Sequence, residues 1–438
     1  MVSVEDGRTT DLSERLRRLQ RLGLHKGISK LRPPAPPPVG PAIEAVVEGE
    51  WVSTPHGPCF VAETTYPLDE RRGGLPLGEC LALPPAAAVA CARDPALAAL
   101  DWRTTAFVDT ETSGLAGGTG TFVFLVGVGI FDDRGFTVRQ LFMPSPAEEG
   151  ALLHLTASLL DRCSGLVSYN GRAFDLPLLN TRLMLNRQLP RLQDAPHLDL
   201  LFPTRRLWRA RLGSCALGHV EQEALGLRRQ EADVPSWLIP TLYREYLRRG
   251  DASELHRVFY HNLEDVLSLV TLTTRLCRLF VPDRLPALDE LLPVDCFNLG
   301  RAYEELGWIA ASEAAYRQAL AAALPPDLRE RALQQLSFLL KRQGRREEAA
   351  RLWRLWAEEA SPGQLTPFVE LAKHYEWQAT NLPEALAWTQ EALRRAESWP
   401  PSSSRRLALA ELHHRLNRVQ DKMAQRSGDL NSARADKQ

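Results

Sequence analysis

The chain has 438 residues, too many for one ordinary core of about 100 to 200 residues, so two or three folded units are expected. Its 53 Lys and Arg almost balance 54 Asp and Glu, which argues neither for nor against a polyanionic partner and confines any nucleic-acid surface to a local patch. The seven cysteines are scattered and never form Cys-x-x-Cys, which leaves no zinc framework and favours a reducing compartment.

The N-terminus, "MVSVEDGRTTDLSERLRR", lacks the apolar centre of a signal peptide, and the longest apolar run, "TFVFLVGVGIF" (121–131), is about half of what a membrane-spanning helix needs. A cytoplasmic protein is expected. Residues 1–31 place Leu12, Leu16, Leu19, Leu22 and Leu24 at helical spacing among basic residues. This predicts a basic N-terminal helix, either an arm on nucleic acid or a solvated helix docked on the body. "RPPAPPPVGP" (32–41) cannot continue it and reads as a linker. Short β-like runs with Gly and Pro punctuation then suggest a small β-rich accessory segment over 42–100.

The stretch 101–282 contains the strand candidates "TTAFVDT", "TFVFLVGVGIF", "FTVRQLFM" and "GLVSYN", with helical patterns after the third and beyond the fourth. This predicts an α/β domain of three opening strands followed by alternating helix and strand. A short linker (283–293) leads to 294–425, where the strand signal vanishes. Three helix-turn-helix segments follow, with Glu-Ala pairs at 313, 348 and 384, a spacing close to the roughly 34 residues of a tetratricopeptide repeat. An all-α repeat domain able to bind a protein partner is expected, followed by a disordered tail over 426–438.

The chemistry centres on "FVDTETSGL" (107–115). On a strand, Asp109 and Glu111 point to one face and Thr110 to the other. Paired carboxylates repel unless protonated or bridged by a cation, and Mg²⁺ prefers oxygen ligands. Alone, the pair is as compatible with a solvated strand end. "VSYNGRAFDLPLL" (167–179) adds Asp175 at a helix start, where an acid also suits the helix dipole. "VFYHNLEDVLSLVTL" (258–272) adds Asp265 on the border of an apolar helical stripe, where an acid needs a partner or a metal.

Together these motifs resemble the DEDD-type 3′-to-5′ exonucleases of the ribonuclease H-like fold, in the YprB-like branch often joined to tetratricopeptide repeats. The resemblance covers roughly 104–280. It implies a ribonuclease H-like domain with a mixed central sheet flanked by helices. It also implies two divalent cations, Mg²⁺ or Mn²⁺, held by Asp109, Glu111, Asp175 and Asp265. The activity implied is 3′-to-5′ hydrolysis of DNA or RNA, acting on a single-stranded 3′ end. Thr112, Gly114 and Leu115 would hold the terminal nucleotide, with Asn170 and Phe174 beside the metals and the sugar. The alternative is a catalytically weak nucleic-acid-binding or scaffold protein acting through its repeats.

The general base departs from the family pattern, which has His five residues, or Tyr four residues, before the last Asp. Here Tyr260 is five before Asp265 and His261 four before it. At 100° per residue, position −4 lies about 40° from Asp265 and position −5 about 140° away. An imidazole, with an ordinary pKa of about 6.5, also suits proton abstraction near neutrality better than a phenol. His261 is therefore the expected base, and Tyr260 is packing.

"PTRRLWRARLGS" (203–214) clusters Arg205, Arg206, Arg209 and Arg211 around Trp208. It reads either as a single-strand-binding patch in which Arg205 and Arg206 touch substrate, or as a solvated helix with Trp208 turned inward. Asp199 is expected to cap a helix.

Overall fold

The computed structural model of the chain describes residues 40–114, 120–188, 195–230 and 233–435. The expected N-terminal helix, most of the Pro-rich linker and Leu115 lie outside these residues. In chain order the elements are strands β1 (Glu50–Thr54), β2 (Gly57–Tyr66), β3 (Arg71–Arg72) and β4 (Leu75–Pro76), helix α1 (Pro85–Ala92), strands β5 (Thr105–Thr112), β6 (Val123–Asp132) and β7 (Gly135–Phe142), helix α2 (Glu149–Leu160), strand β8 (Gly165–Ser168), helix α3 (Asp175–Leu185), strand β9 (His197–Asp199), and helices α4 (Leu201–Leu212), α5 (Ile239–Arg249) and α6 (Leu255–Cys277). Helices α7 (Pro293–Glu305), α8 (Ile309–Ala321), α9 (Pro326–Arg342), α10 (Arg346–Glu359), α11 (Thr366–Trp377), α12 (Leu382–Glu397) and α13 (Ser403–Ala435) complete the chain.

Contacts divide the chain into two compact units built from interleaved segments, not at the sequence-predicted boundaries. Of the described residues, one unit takes those up to 82, then those within 99–198 and 227–271; the other takes those within 83–98, 199–226 and from 272 on.

The first unit is built on a seven-stranded mixed sheet in the order β1-β2-β7-β6-β5-β8-β9. Strands β1, β2, β7, β6 and β5 pair antiparallel in succession, whereas β5 and β8 are parallel. The expected accessory segment is therefore corrected in part: β1 and β2 are edge strands of the central sheet. The physical reason is the free edge of β7, whose unpaired backbone groups are satisfied by β2 from Phe60↔Phe142 to Tyr66↔Phe136. Fully buried Phe60, Phe124, Phe142 and Tyr243 occupy the core, where the Phe124 and Tyr243 rings stack at 3.9 Å.

Close packing of α6 on this sheet requires the absence of side chains beneath it. A Cβ on Gly127 of β6 would fall 2.4 Å from Asn262 Oδ1 and 2.8 Å from Val266 Cγ2, both on α6. Gly129 is equally constrained, 2.7 Å from Val266 Cγ1. The glycines of "VGVGIF" are thus sites of close helix-strand approach.

The second unit is helical. Its three sequence-predicted helix-turn-helix segments correspond to the pairs α7 and α8, α9 and α10, and α11 and α12. Gly300 of α7 permits the Tyr316 ring of α8 to approach within 2.6 Å of where a Cβ would stand. Each pair has a left-handed residue two positions before its second helix: Gly307 (φ 74°), Gly344 (φ 77°) and Thr380 (φ 50°). The helix α13 runs on to Ala435, so the expected structureless tail from 426 is corrected; the same polar helical pattern simply continues. No helix among the described residues is long and apolar enough to cross a membrane.

Two stability predictions follow from these backbones. Gly127→Ala should lower the urea-unfolding free energy by about 1–3 kcal/mol, because the added methyl overpacks the α6 contact. Thr380→Gly should raise it by about 0.5–1 kcal/mol, because a β-branched residue is disfavoured at positive φ and glycine is not.

Candidate metal centre

The acids meet where β5 ends beneath α6. Strand alternation places Asp109 and Glu111 toward α6, while Thr110 turns the other way and donates its hydroxyl to Asp175 Oδ1 at the first residue of α3. A bulge in the β5–β6 pairing between Glu111 and Thr112 marks the end of the regular ladder, a device that re-aims side chains at sheet margins. Asn262 Nδ2 donates to Asp109 Oδ2 at 2.9 Å, and Gln140 Nε2 holds the other end of the Asn262 amide at 2.9 Å. This fully buried amide pair fixes Asp109 from below.

Helix geometry separates the two base candidates as the sequence predicts. His261 is buried, with Nε2 3.4 Å from Asp265 Oδ2 and 4.0 Å from Glu111 Oε1. Tyr260 instead accepts a hydrogen bond from the Gln230 backbone N–H at 3.0 Å. His261 Nδ1 lies 2.7 Å from Asp233 Oδ1 and 3.0 Å from Arg229 Nη1. One tautomer can satisfy only one of these; the shorter contact makes Nδ1 the protonated nitrogen. Nε2 is then free to accept from Ser236 Oγ at 3.2 Å and to face the acids.

Arg229 also pairs with Asp265 Oδ1. Together with Asp233 and Ser236, it comes from the segment preceding α5, which sequence reasoning missed. The adjacent arginines of "LGLRRQEADVPSW" carry no spacing that announces which of them returns to the site. Asn262 was the more findable residue: a polar amide three positions before Asp265 shares its helix face and interrupts an apolar stripe.

Electrostatics mark the site as cation-deficient. Burial, then the charges of Asp265, Glu111 and Asp175, push the Asp109 carboxyl well above its ordinary range. Burial, Asp265 and Asp175 do the same for Glu111, with Arg229 opposing them. Ligand atoms of Glu111, His261 and Asp265 all lie within 4.8 Å of one another, a group that could hold a metal ion. Asp109 and Asp175 are outside that triplet but act on it through their charges. Oxygen-rich, mutually repelling donors suit a hard divalent cation.

The structure does not bring every predicted site residue here. Thr112 Oγ1 donates to the Gly114 carbonyl at 2.8 Å, shaping the turn out of β5. Asn170 adopts φ 64°, beside the α3 start, and Phe174 is 58% exposed next to Asp175. Arg205 and Arg206 lie on α4, which groups with the helical unit. There Arg206 donates to the Cys91 carbonyl at 2.7 Å, while Arg205 is exposed and Trp208 is buried. Burial of the Trp208 ring leaves the arginines to the other sides of the helix. Asp199 accepts from Leu201 N at 3.0 Å, at the start of α4.

Because Asp109 and Glu111 titrate higher folded than unfolded, the fold binds extra protons, so stability in chelator should fall as pH rises above the ordinary carboxylate range. Asp109→Asn should remove part of this slope and raise the urea midpoint in EDTA at neutral pH by the equivalent of about 1 kcal/mol. Mg²⁺ should stabilise wild type more than this variant.

The RNase_H superfamily model matches residues 106–277, the span that contains β5, the α3 acid and α6. The Bacillus subtilis (strain 168) protein YprB, described as uncharacterized, is 34% identical over 324 residues, covering 72% of this chain and 74% of its own length. Among solved structures, the family B DNA polymerase of the hyperthermophilic archaeon Pyrobaculum calidifontis is similar over 48% of this chain and 28% of the polymerase, at 15% identity and a TM-score of 0.32. With the extent of its identity to YprB and an RNase_H superfamily domain spanning the clustered acids, the chain belongs to the YprB family.

Proposed function

We propose that this protein is a divalent-metal-dependent nuclease that hydrolyses DNA or RNA from the 3′ end. The observation that carries the reading is the convergence of Glu111, His261 and Asp265 with Asp109 and Asp175 at one buried strand end. In a superfamily of nuclease-type folds, four acids that repel one another in the absence of a cation are arranged for binding one or two.

Asp109, Glu111, Asp175 and Asp265 would hold Mg²⁺ or Mn²⁺, which supplies charge neutralisation at the attacking and departing oxygens of a phosphodiester. The remaining work falls to side chains of the chain. Asn262 keeps Asp109 oriented. Asp233 holds the Nδ1 proton of His261, so that Nε2 faces the acids as a proton acceptor. A water that takes the place of the Ser236 hydroxyl at Nε2 would lose its proton there as it attacks phosphorus, and the displaced 3′ oxygen would be protonated from solvent. Phe174, exposed beside Asp175, offers an apolar face to the terminal sugar or base. Thr112, Gly114, Leu115 and Asn170 would flank the terminal nucleotide.

The helical pairs, in this reading, form a tetratricopeptide-like module that binds a partner, as their pairing and recurrent left-handed turns support.

The decisive experiment incubates the full-length protein with 3′-labelled and 5′-labelled single-stranded DNA and RNA in Mg²⁺, Mn²⁺ or EDTA. Metal-dependent release of labelled mononucleotide from the 3′ end is expected, and Asp109→Ala should abolish it. His261→Ala should lower kcat by roughly 10²–10⁴ and Tyr260→Phe by no more than a few-fold. The reverse ranking would reassign the base, and binding without turnover would replace the nuclease with a non-hydrolytic nucleic-acid-binding protein.

A further inference from the structure

Tryptophan is mostly buried in folded proteins, so the place where one is left in water is informative. Trp237 is 67% exposed, more than any other large apolar side chain among the described residues. It follows Ser236, whose Oγ lies 3.2 Å from His261 Nε2 at the metal centre. In the unit built on the sheet, the other described Phe, Tyr or Trp that is more than half exposed is Phe174, directly before Asp175 at the start of α3. The acids are thus flanked by an exposed aromatic on the His261 side and another on the Asp175 side. Among the described residues no ring or cation covers either of them. By contrast, Trp51 packs edge-on against Phe60 at 5.5 Å, and Lys422 Nζ lies 3.3 Å from the Trp377 ring centroid.

The exposure of Trp237 is built into the backbone. Leu238 N donates to the Pro235 carbonyl at 2.8 Å and closes a turn in which Trp237 holds the third position. Buried Val234 and Ile239 anchor the chain on both sides of that turn. Beyond it, α5 is tied down by the Tyr243 hydroxyl, which donates to the Met143 carbonyl at 2.9 Å. A ring carried on a fixed turn loses little freedom when a flat ligand settles on it. Its surroundings are polar: along the segment that reaches the metal centre, Arg228, Gln230 and Ser236 are exposed as well. An isolated ring in such company is not the broad apolar patch that the core of a protein interface needs.

We propose that Trp237 is the stacking platform for a nucleobase of an unpaired strand whose neighbouring phosphate reaches the metal centre. Stacking asks for a flat π-face and for no particular set of donors, so it accepts every base. Bases inside a duplex already stack on one another and must leave that stack before a protein ring can take one, which favours a strand with unpaired bases. Arg228, exposed next to Arg229, puts a cation for a flanking phosphate on the same segment. Trp237 touches none of the reacting atoms in this arrangement, so its loss acts on KM and leaves kcat nearly unchanged. The inference rests on the nuclease reading of the metal centre and adds to it a residue that holds substrate by shape.

The test measures fluorescence anisotropy of a 5′-fluorescein-labelled ten-nucleotide oligo(dA) with the full-length protein in Mg²⁺, its 3′ linkages made phosphorothioates to slow cleavage. Trp237→Ala should weaken binding about tenfold, and Trp237→Phe, which keeps a π-face, by no more than a few-fold. Both variants should retain the thermal unfolding midpoint, because the ring lies in solvent. A single abasic residue is then placed in turn at each of the last four positions of the strand. At one position it should weaken wild type about tenfold and Trp237→Ala hardly further, the non-additivity that marks direct contact. Equal binding of the intact strand by wild type and Trp237→Ala, or equal abasic losses in both at every position, would overturn the platform. A blunt duplex bound as tightly as the single strand would overturn the unpaired-strand preference. Nucleotide release from the unmodified strand decides the nuclease reading separately: release without the abasic pattern removes only the platform, the pattern without release removes only the nuclease, and the absence of both removes the two together.

Discussion

Helix α6 can lie directly on β6 because Gly127 and Gly129 leave no side chains in the interface, and the rest of the candidate site depends on that contact. Removing two methyl groups from the strand surface lets Val266 and Asn262 fill the space a Cβ would claim. Asn262 is thereby brought to Asp109, and its helix neighbours His261 and Asp265 arrive over Glu111. An alanine-lined strand would push the helix outward, and distances of 3–4 Å among titratable groups would not survive such a displacement. The glycines thus act on the chemistry through packing alone.

Proximity then creates an electrostatic problem, which the chain solves only in part. Burial and mutual repulsion raise Asp109 and Glu111. Arg229 supplies one guanidinium, paired with Asp265 and near His261, and Asp233 takes the imidazole Nδ1. One nearby guanidinium does not neutralise four acids. The negative potential left on these acids would suit a divalent cation at the strand end.

The parts of this arrangement governed by short-range periodicity were legible in the sequence. Strand alternation put Asp109 and Glu111 on one face with Thr110 opposed, and Thr110 does reach a different acid. The 100° helical step placed His261, not Tyr260, beside Asp265. The three helix-turn-helix segments and the order of β5, β6, β7 and β8 were equally plain. What could not be read was long-range. Nothing local says that β2 will close the edge of β7, that α4 and its arginines will join the helical unit, or that Arg229 will come back to α6 from 36 positions before Asp265. Such choices are settled by which free edges and buried charges remain once local structure has formed.

The two units treat buried acids in opposite ways. In the helical unit, burial alone would raise Glu376, yet hydrogen bonds from Arg418 and Lys422 draw it down to about 2. Glu370 is likewise held below its ordinary range by Lys341 and Lys373 against the effect of burial. Here each buried carboxylate is matched by cations that hold it ionised. In the sheet unit the acids are in excess, and the need is for an additional cation. A chain with almost no net charge can therefore pair its buried acids in one unit and leave them mutually repelling in the other, because formal charge sums over the whole molecule while solvation and pairing act over a few ångströms.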